Sequence, residues 1–354
     1  MTTSAAMLSW SFLSLPSKWI LSSWEVLIHP QPPITLLSII QISLACNLLL
    51  DNNSIFSVIY QAVGIVFGEG GLEKQPPWSA MKIFDVHTHI FPEKIAASTL
   101  AYLSARSANL PTFTLGTSAD LRRHAIAAGY AGWMNCPVVT KPGQAASVNA
   151  WAAARNQWPA LSLGGVHPDD EDLEGVVRQI RDLGLCGVKF HPEYQAFGVL
   201  EPRVEPIWRV CEELSLPVLI HGGQDIGFQP PFHSRPRDYA ELSRRHPGLV
   251  IIIAHLGGWR NWDEVEHDLV GRNVFLDTSF ALPFMEDKSQ FVRIVRQHGA
   301  DKVLFGTDSP WQDLAEAVSD VSSQPLTQAE KEDIFWNNAA RIWNFPVDAA
   351  LAGA

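Results

Sequence analysis

"FDVHTHIFP", residues 84–92, is the stretch on which the reading of this chain turns. A short apolar run ends in His87 and His89, one residue apart, with Asp85 just before them. In an extended strand alternate side chains share a face, so His87 and His89 project together. Two imidazoles on one face can share a metal ion; equally, they can be polar residues of a turn. The rest of the chain has to separate these readings.

From Met81 onward, short apolar runs alternate with helical patterns. The strand candidates are "KIFDVH" (82–87), "AGWMNCPV" (131–138), "LSLGGVH" (161–167), "GVKFH" (187–191), "PVLIH" (217–221), "LVIIIAH" (249–255), "NVFLDTS" (273–279) and "KVLFGTD" (302–308). Amphipathic stretches such as "EDLEGVVRQIRDLG" (171–184) and "VEPIWRVCEELS" (204–215) lie between them. Nearly continuous apolar strands alternating with helices indicate a parallel sheet covered on both sides. Eight such units over about 270 residues match an α/β fold of the (β/α)8 TIM-barrel type. An open doubly wound sheet is the rival, but no G-x-G-x-x-G follows the first strand.

Polar residues gather at the ends of these runs. His87 and His89 follow the first, His167 the third, Lys189 and His191 the fourth, His221 the fifth, His255 the sixth and Asp308 the eighth. In a barrel the carboxyl ends of all strands converge on one face, where catalysis sits. A single strand-end histidine is ordinarily a turn residue. Six strands ending in metal-capable residues at one edge outweigh that explanation.

Composition narrows the function. The hydrophobic fraction of 47% supplies an ample core, and the net charge of −11 argues against binding a nucleic-acid backbone. The four cysteines, Cys46, Cys136, Cys186 and Cys211, form no C-x-x-C pair. That pattern fits a reducing, cytoplasmic setting and points any metal chemistry to histidine and carboxylate.

Residues 1–80 read differently from residues 81–354. They contain no arginine, and their only charges are Lys18, Glu25, Asp51, Glu69, Glu73 and Lys74. The uncharged run "ITLLSIIQISLACNLLL" (34–50) approaches the roughly 20 residues that span a bilayer. Three readings stand for this atypical hydrophobic extension: a wrongly chosen start or retained intron, a membrane segment, or a packed extra domain. A membrane is a partner only under the second. The barrel domain is expected over 81–354.

The motifs "DVHTHIFP", "GVKFHPEYQAF", "PVLIHGG", "IIIAHLGGW", "VLFGTDSPW" and "NNAARIWNF" together resemble the amidohydrolase superfamily of metal-dependent barrels. The likeness is to the amidohydrolase-related branch that includes aminocarboxymuconate-semialdehyde decarboxylase, and it runs from Met81 to about Phe345. The resemblance implies that His87, His89, His221 and Asp308 hold a divalent metal, with His255 beside it. Such a donor set suits Zn²⁺ first, and also Mn²⁺ or Fe²⁺. A metal-bound water at neutral pH, with Asp308 as proton acceptor and His255 as polariser, makes a hydrolytic site. Some superfamily members carry a carbamylated strand-four lysine bridging two metals. Lys189 occupies such a position, but one metal is the favoured expectation, with Lys189 otherwise facing a substrate charge.

The substrate pocket is less legible. His191, Arg235 and Trp259 are its candidates, with His233 in the loop "GGQDIGFQPPFHSRPRDYAEL" (222–242). His124, His246, His267 and His298 are read as surface residues. The leading functional reading is a hydrolase of a small-molecule amide, ester or lactone. The alternatives are a non-oxidative decarboxylase (a lyase) of an aromatic or unsaturated carboxylic acid, and a metal-binding protein without catalysis. A small-molecule substrate is the expected partner, and a homo-oligomer is compatible with all three.

Overall fold

The computed structural model describes residues 81–345. Residues 1–80, and the three readings made of them, lie outside the described residues. Nine strand segments follow one another: β1 (Phe84–Thr88), β2 (Gly132–Asn135), β3 (Ala160–Ser162), β4 (Gly164–Gly165), β5 (Val188–Phe190), β6 (Val218–Ile220), β7 (Ile251–Ile253), β8 (Phe275–Asp277) and β9 (Val303–Leu304). All pairings are parallel, in the orders β1-β2-β3 and β4 through β9.

These nine segments fill eight barrel positions. β3 and β4 are one strand divided at Leu163, whose N–H donates to Asn135 O at 2.9 Å, while Gly164 N–H turns to Gly187 O at 2.9 Å. The strand thus passes its hydrogen bonding from one neighbour to the other. The last seam closes where Val86 N–H donates to Phe305 O (2.9 Å), Asp308 N–H to His87 O (2.8 Å) and His89 N–H to Ser309 O (2.7 Å). A closed barrel leaves no strand edge to solvent. Its closure also brings the ends of the first and last strands, 220 residues apart in sequence, against each other.

Strands that are β-branched and apolar throughout bury both faces here. Leu219, Ile252 and Leu304 belong to one cluster of buried residues. Their neighbours Val218, Ile220, Ile251, Ile253 and Val303 belong to another, which includes helix residues such as Val177, Ile180, Ile207 and Tyr239. This alternation separates a barrel interior from the layer beneath the helices, and each fully buried Val, Leu or Ile contributes roughly 1.5–3 kcal/mol.

The connecting helices used below are α1 (Glu93–Arg106), α2 (Ser118–Ala127), α3 (Ala145–Ala153), α4 (Leu173–Asp182), α5 (Pro192–Gln195), α6 (Glu205–Glu213), α7 (Pro236–Arg245) and α8 (Lys288–His298). The expected helix over 171–184 is α4, trimmed because the Asp172 side chain accepts from Gly175 N and starts the helix there. Among the described residues no helix is long and apolar enough to cross a membrane.

Two surface assignments are corrected by the fold. His246 and His298 are buried, at 6% and 5% exposure. His246 closes α7 and is wedged between Glu212 (Nδ1–Oε2 3.0 Å) and Glu205 (Nε2–Oε1 3.1 Å). His298 ends α8, where its Nε2 donates to Val274 O and its Nδ1 accepts from Gly271 N–H. Charged or backbone partners make such burial tolerable. His267 is exposed and His124 partly so, as expected.

Candidate metal centre and active site

The ends of β1 and β9 build the centre. His87 Nε2, His89 Nε2 and Asp308 Oδ1 form a triangle with edges of 3.2, 3.1 and 3.4 Å. Ligand bonds of about 2.0–2.1 Å in tetrahedral geometry put neighbouring ligand atoms about 3.3 Å apart. The three atoms therefore already stand at coordination spacing, and two imidazoles with a carboxylate suit a divalent ion.

What lies behind the triangle holds it in place. His87 Nδ1 donates to Asp277 Oδ2 at 2.9 Å, which leaves the Nε2 lone pair facing the cavity. Asp277 is wholly buried, and its other oxygen accepts from His255 N–H (3.1 Å) and Ser279 N–H (3.0 Å). Burial works to raise the Asp277 carboxyl, but the adjacent His87, then His255 and Ser279, hold it well below the usual range. Burial, then the charge of Lys189, pushes His87 down to about 3, so it stays neutral, as a ligand must. Asp308 shows the same balance: burial raises it, while the bond to His89 and the neighbouring His87, His89 and His255 hold it low. Asp277 escaped the sequence reading, although it stands at the end of a quoted strand run.

Two functional candidates sit in strained backbone. His255 has φ 61° and Asp308 φ 60°, the left-handed region that ordinary side chains seldom adopt. Such strain persists where surrounding contacts over-determine it. Here Trp262 Nε1–H holds His255 O at 3.1 Å, and Asp308 N–H is tied to His87 O.

His221 is placed differently from its expected ligand partners. Its Nδ1 lies 3.0 Å from His255 Nε2, and its Nε2 donates to Gln224 O at 3.1 Å. Its ring stacks on His191 with centroids 4.0 Å apart, and the two histidines form a second donor group with Asp225. His191 Nε2 lies 3.2 Å from Asp225 Oδ2. Burial lowers both His221 and His191; the neighbouring His191, His255 and Lys189 push His221 further down, while Asp225 works against the shift at His191. His255 links the two groups, since its Nδ1 reaches Ser279, which also contacts His87. Gly223 makes this juncture feasible: it adopts φ +83°, and a Cβ there would stand 2.2 Å from Trp259 N.

Lys189 is buried in the barrel, with Nζ donating to His87 Nε2 at 2.9 Å. Burial lowers its pKa. Both groups and Lys189 open into a cavity of about 900 Å³, walled by aromatic residues that include Phe91, Tyr102, Trp151, Tyr194, Trp259, Phe280 and Trp311. His191 and Trp259 line it, as expected. Arg235 does not; its guanidinium is held by Asp238 at the start of α7. His233 is tied to the buried Glu193 of α5, and His167 lies off the cavity.

The amidohydrolase family matches residues 84–345. A gamma-resorcylate decarboxylase of Rhodococcus jostii RHA1 is 22% identical over 186 residues, 40% of this chain and 54% of that protein. The chain thus spans about half the length of the curated relatives it matches. An uncharacterised TIM-barrel protein of Bordetella bronchiseptica superposes with a TM-score of 0.62 at 21% identity, covering 74% of this chain and 98% of that one. A dihydroxybenzoic acid decarboxylase of Polaromonas sp. JS666, solved with manganese and the inhibitor 2-nitroresorcinol, gives 0.57 at 16%, covering 75% and 97%. At these identities the structural likeness is one of fold.

Proposed function

Because this chain belongs to the amidohydrolase family, we propose that it is a metal-dependent, non-oxidative decarboxylase of an aromatic or unsaturated carboxylic acid. The observation that carries the reading is the His87–His89–Asp308 triangle at the floor of an aromatic-walled cavity, beside the cation of Lys189. The decarboxylase relatives favour it over the amide, ester or lactone hydrolase that the motifs alone put first. For the hydrolase, the family name is support only at the level of the superfamily.

In this reading His87, His89 and Asp308 hold one divalent ion, and His221 would complete the set only by giving up the contact of its Nδ1 with His255. The manganese of the Polaromonas enzyme puts Mn²⁺ beside Zn²⁺ as the candidate ion. When bound, the ion supplies Lewis acidity toward an oxygen of the substrate. Lys189 draws the carboxylate to the floor, and the aromatic walls hold the ring. As the C–CO₂ bond breaks, its electron pair stays on the ring carbon; Asp308, a carboxylate at rest, would take a proton from the substrate hydroxyl and pass it to that carbon, and solvent would return a proton to the product oxygen. His255, fixed through Ser279 and His221, orients the substrate oxygen.

Turnover by the Mn²⁺-loaded full chain tests the proposal. A panel of hydroxybenzoates is followed by CO₂ release, alongside lactones and amides followed by ring opening or amine release. Product lighter by one CO₂ is the expected result. Cleavage of a lactone or amide with no CO₂ from any acid would return the chain to the hydrolases.

A further inference from the structure

The cavity is larger than a reaction at its floor requires. Small-molecule pockets range over roughly 300–1,000 Å³, and a single-ring acid belongs to the low end. This cavity, at about 900 Å³, belongs to the high end. The surplus has a definite lining. Ile95, Thr99 and Tyr102 recur at i, i+4 and i+7 along one stripe of α1, and all three line the cavity. Val148 and Trp151 of α3 line it too.

Two members of the α1 stripe are large, apolar and exposed among the described residues. Ile95 and Tyr102 are 49% and 59% exposed, whereas Ala96 and Leu100 of the same helix are buried. Exposed apolar side chains on a cavity wall, continuous with a reactive floor, are what a bound apolar group covers. Lys141 also lines the cavity and is exposed, and no ion pair or side-chain hydrogen bond engages its ammonium among the described residues. A free cation on this lining favours an oxygen-bearing or anionic group.

We infer that the substrate is a two-part acid. A carboxylate-bearing ring occupies the floor, an apolar arm of about ring size lies along Ile95, Thr99 and Tyr102, and the arm ends in an oxygen function that meets Lys141. The inference rests on the decarboxylase reading above and names its substrate class.

The test compares 2-hydroxybenzoate with the same acid bearing a 4-carboxyphenyl arm. Binding to the Mn²⁺-loaded full chain is measured by calorimetry, and CO₂ is recorded in the same samples. The armed acid is expected to bind about tenfold tighter or better, because the arm removes a ring's worth of apolar surface from water. Thr99→Trp and Val148→Trp each fill the arm's space; either is expected to abolish that advantage and leave 2-hydroxybenzoate affinity unchanged. Lys141→Ala is expected to weaken the carboxyphenyl acid and spare a plain phenyl analogue. Equal affinity for armed and unarmed acids overturns the inference, and so do tryptophan variants that weaken both alike. Absence of CO₂ from every acid counts against the decarboxylase reading alone, since the binding comparison is scored separately.

Discussion

Two groups of two histidines and one aspartate face the same cavity, and they differ in what stands behind them. In the first, His87 spends Nδ1 on the buried Asp277 and turns Nε2 to the cavity floor, where Lys189 Nζ lies 2.9 Å away. In the second, His191 spends Nε2 on Asp225 of its own group, and its buried Nδ1 has no hydrogen-bond partner among the described residues. His221 has both nitrogens engaged, by His255 and by Gln224 O. A carboxylate behind an imidazole orients it and raises its basicity as a ligand, and among the described residues only the first group has one. Donor type and spacing make the groups look alike. In the proposed reading, the carboxylate behind His87 favours the group of His87, His89 and Asp308 as the metal centre.

Substitutions can break that distinction, and the largest effect is expected from His89→Ala. It removes one corner of the triangle, so metal content should fall from about one equivalent per chain to near zero, with activity lost alongside. Elemental analysis of the purified variant reads this directly. Full metal content in His89→Ala would place the centre in the second group.

Asp308→Asn comes next. An amide oxygen still offers a lone pair, so most of the metal should remain. The amide cannot carry the proton, and turnover should drop by roughly 10²–10⁴-fold. A rate within about tenfold of the parent, measured at equal metal content, would remove Asp308 from the chemistry.

Asp277→Asn sharpens the comparison from behind. It leaves the His87–His89–Asp308 triangle in place and takes the carboxylate from His87 Nδ1, so metal affinity should fall by roughly 10–100-fold. Competition with a chelator of known affinity measures it, and excess metal should restore much of the activity. The smallest effect is expected from Asp225→Asn, which disturbs only the second group. Its metal affinity should match the parent's in the same competition; a loss as large as that of Asp277→Asn would make the two groups equivalent.

The local signals in the chain were strong where one element is enough to produce them. Runs such as "PVLIH" and "LVIIIAH" are apolar on both faces because β6 and β7 are covered on both faces, and their terminal histidines do stand at the cavity. Asp277 was not among the candidates, because nothing within a few residues of it signals a role. Its meaning comes from His87, 190 residues away. His246 and His298 misled for a related reason: polar residues near helix ends are ordinarily solvated, unless partners from other elements are waiting for them.

By itself the sequence determined the parallel strand–helix rhythm, the barrel it implies, and the edge at which His87, His89, Lys189, His191, His221, His255 and Asp308 gather. Periodicity and strand-end chemistry are local properties, legible within a few residues. Only the tertiary structure decided which of those residues share a group, that Asp277 stands behind His87, that Arg235 turns away to Asp238, and how much space lies above the floor. Those outcomes depend on the closing seam between β1 and β9, on the left-handed backbone at His255 and Asp308, and on the close packing of Gly223 against Trp259. Each is a contact between distant segments, and it exists only once the barrel has closed.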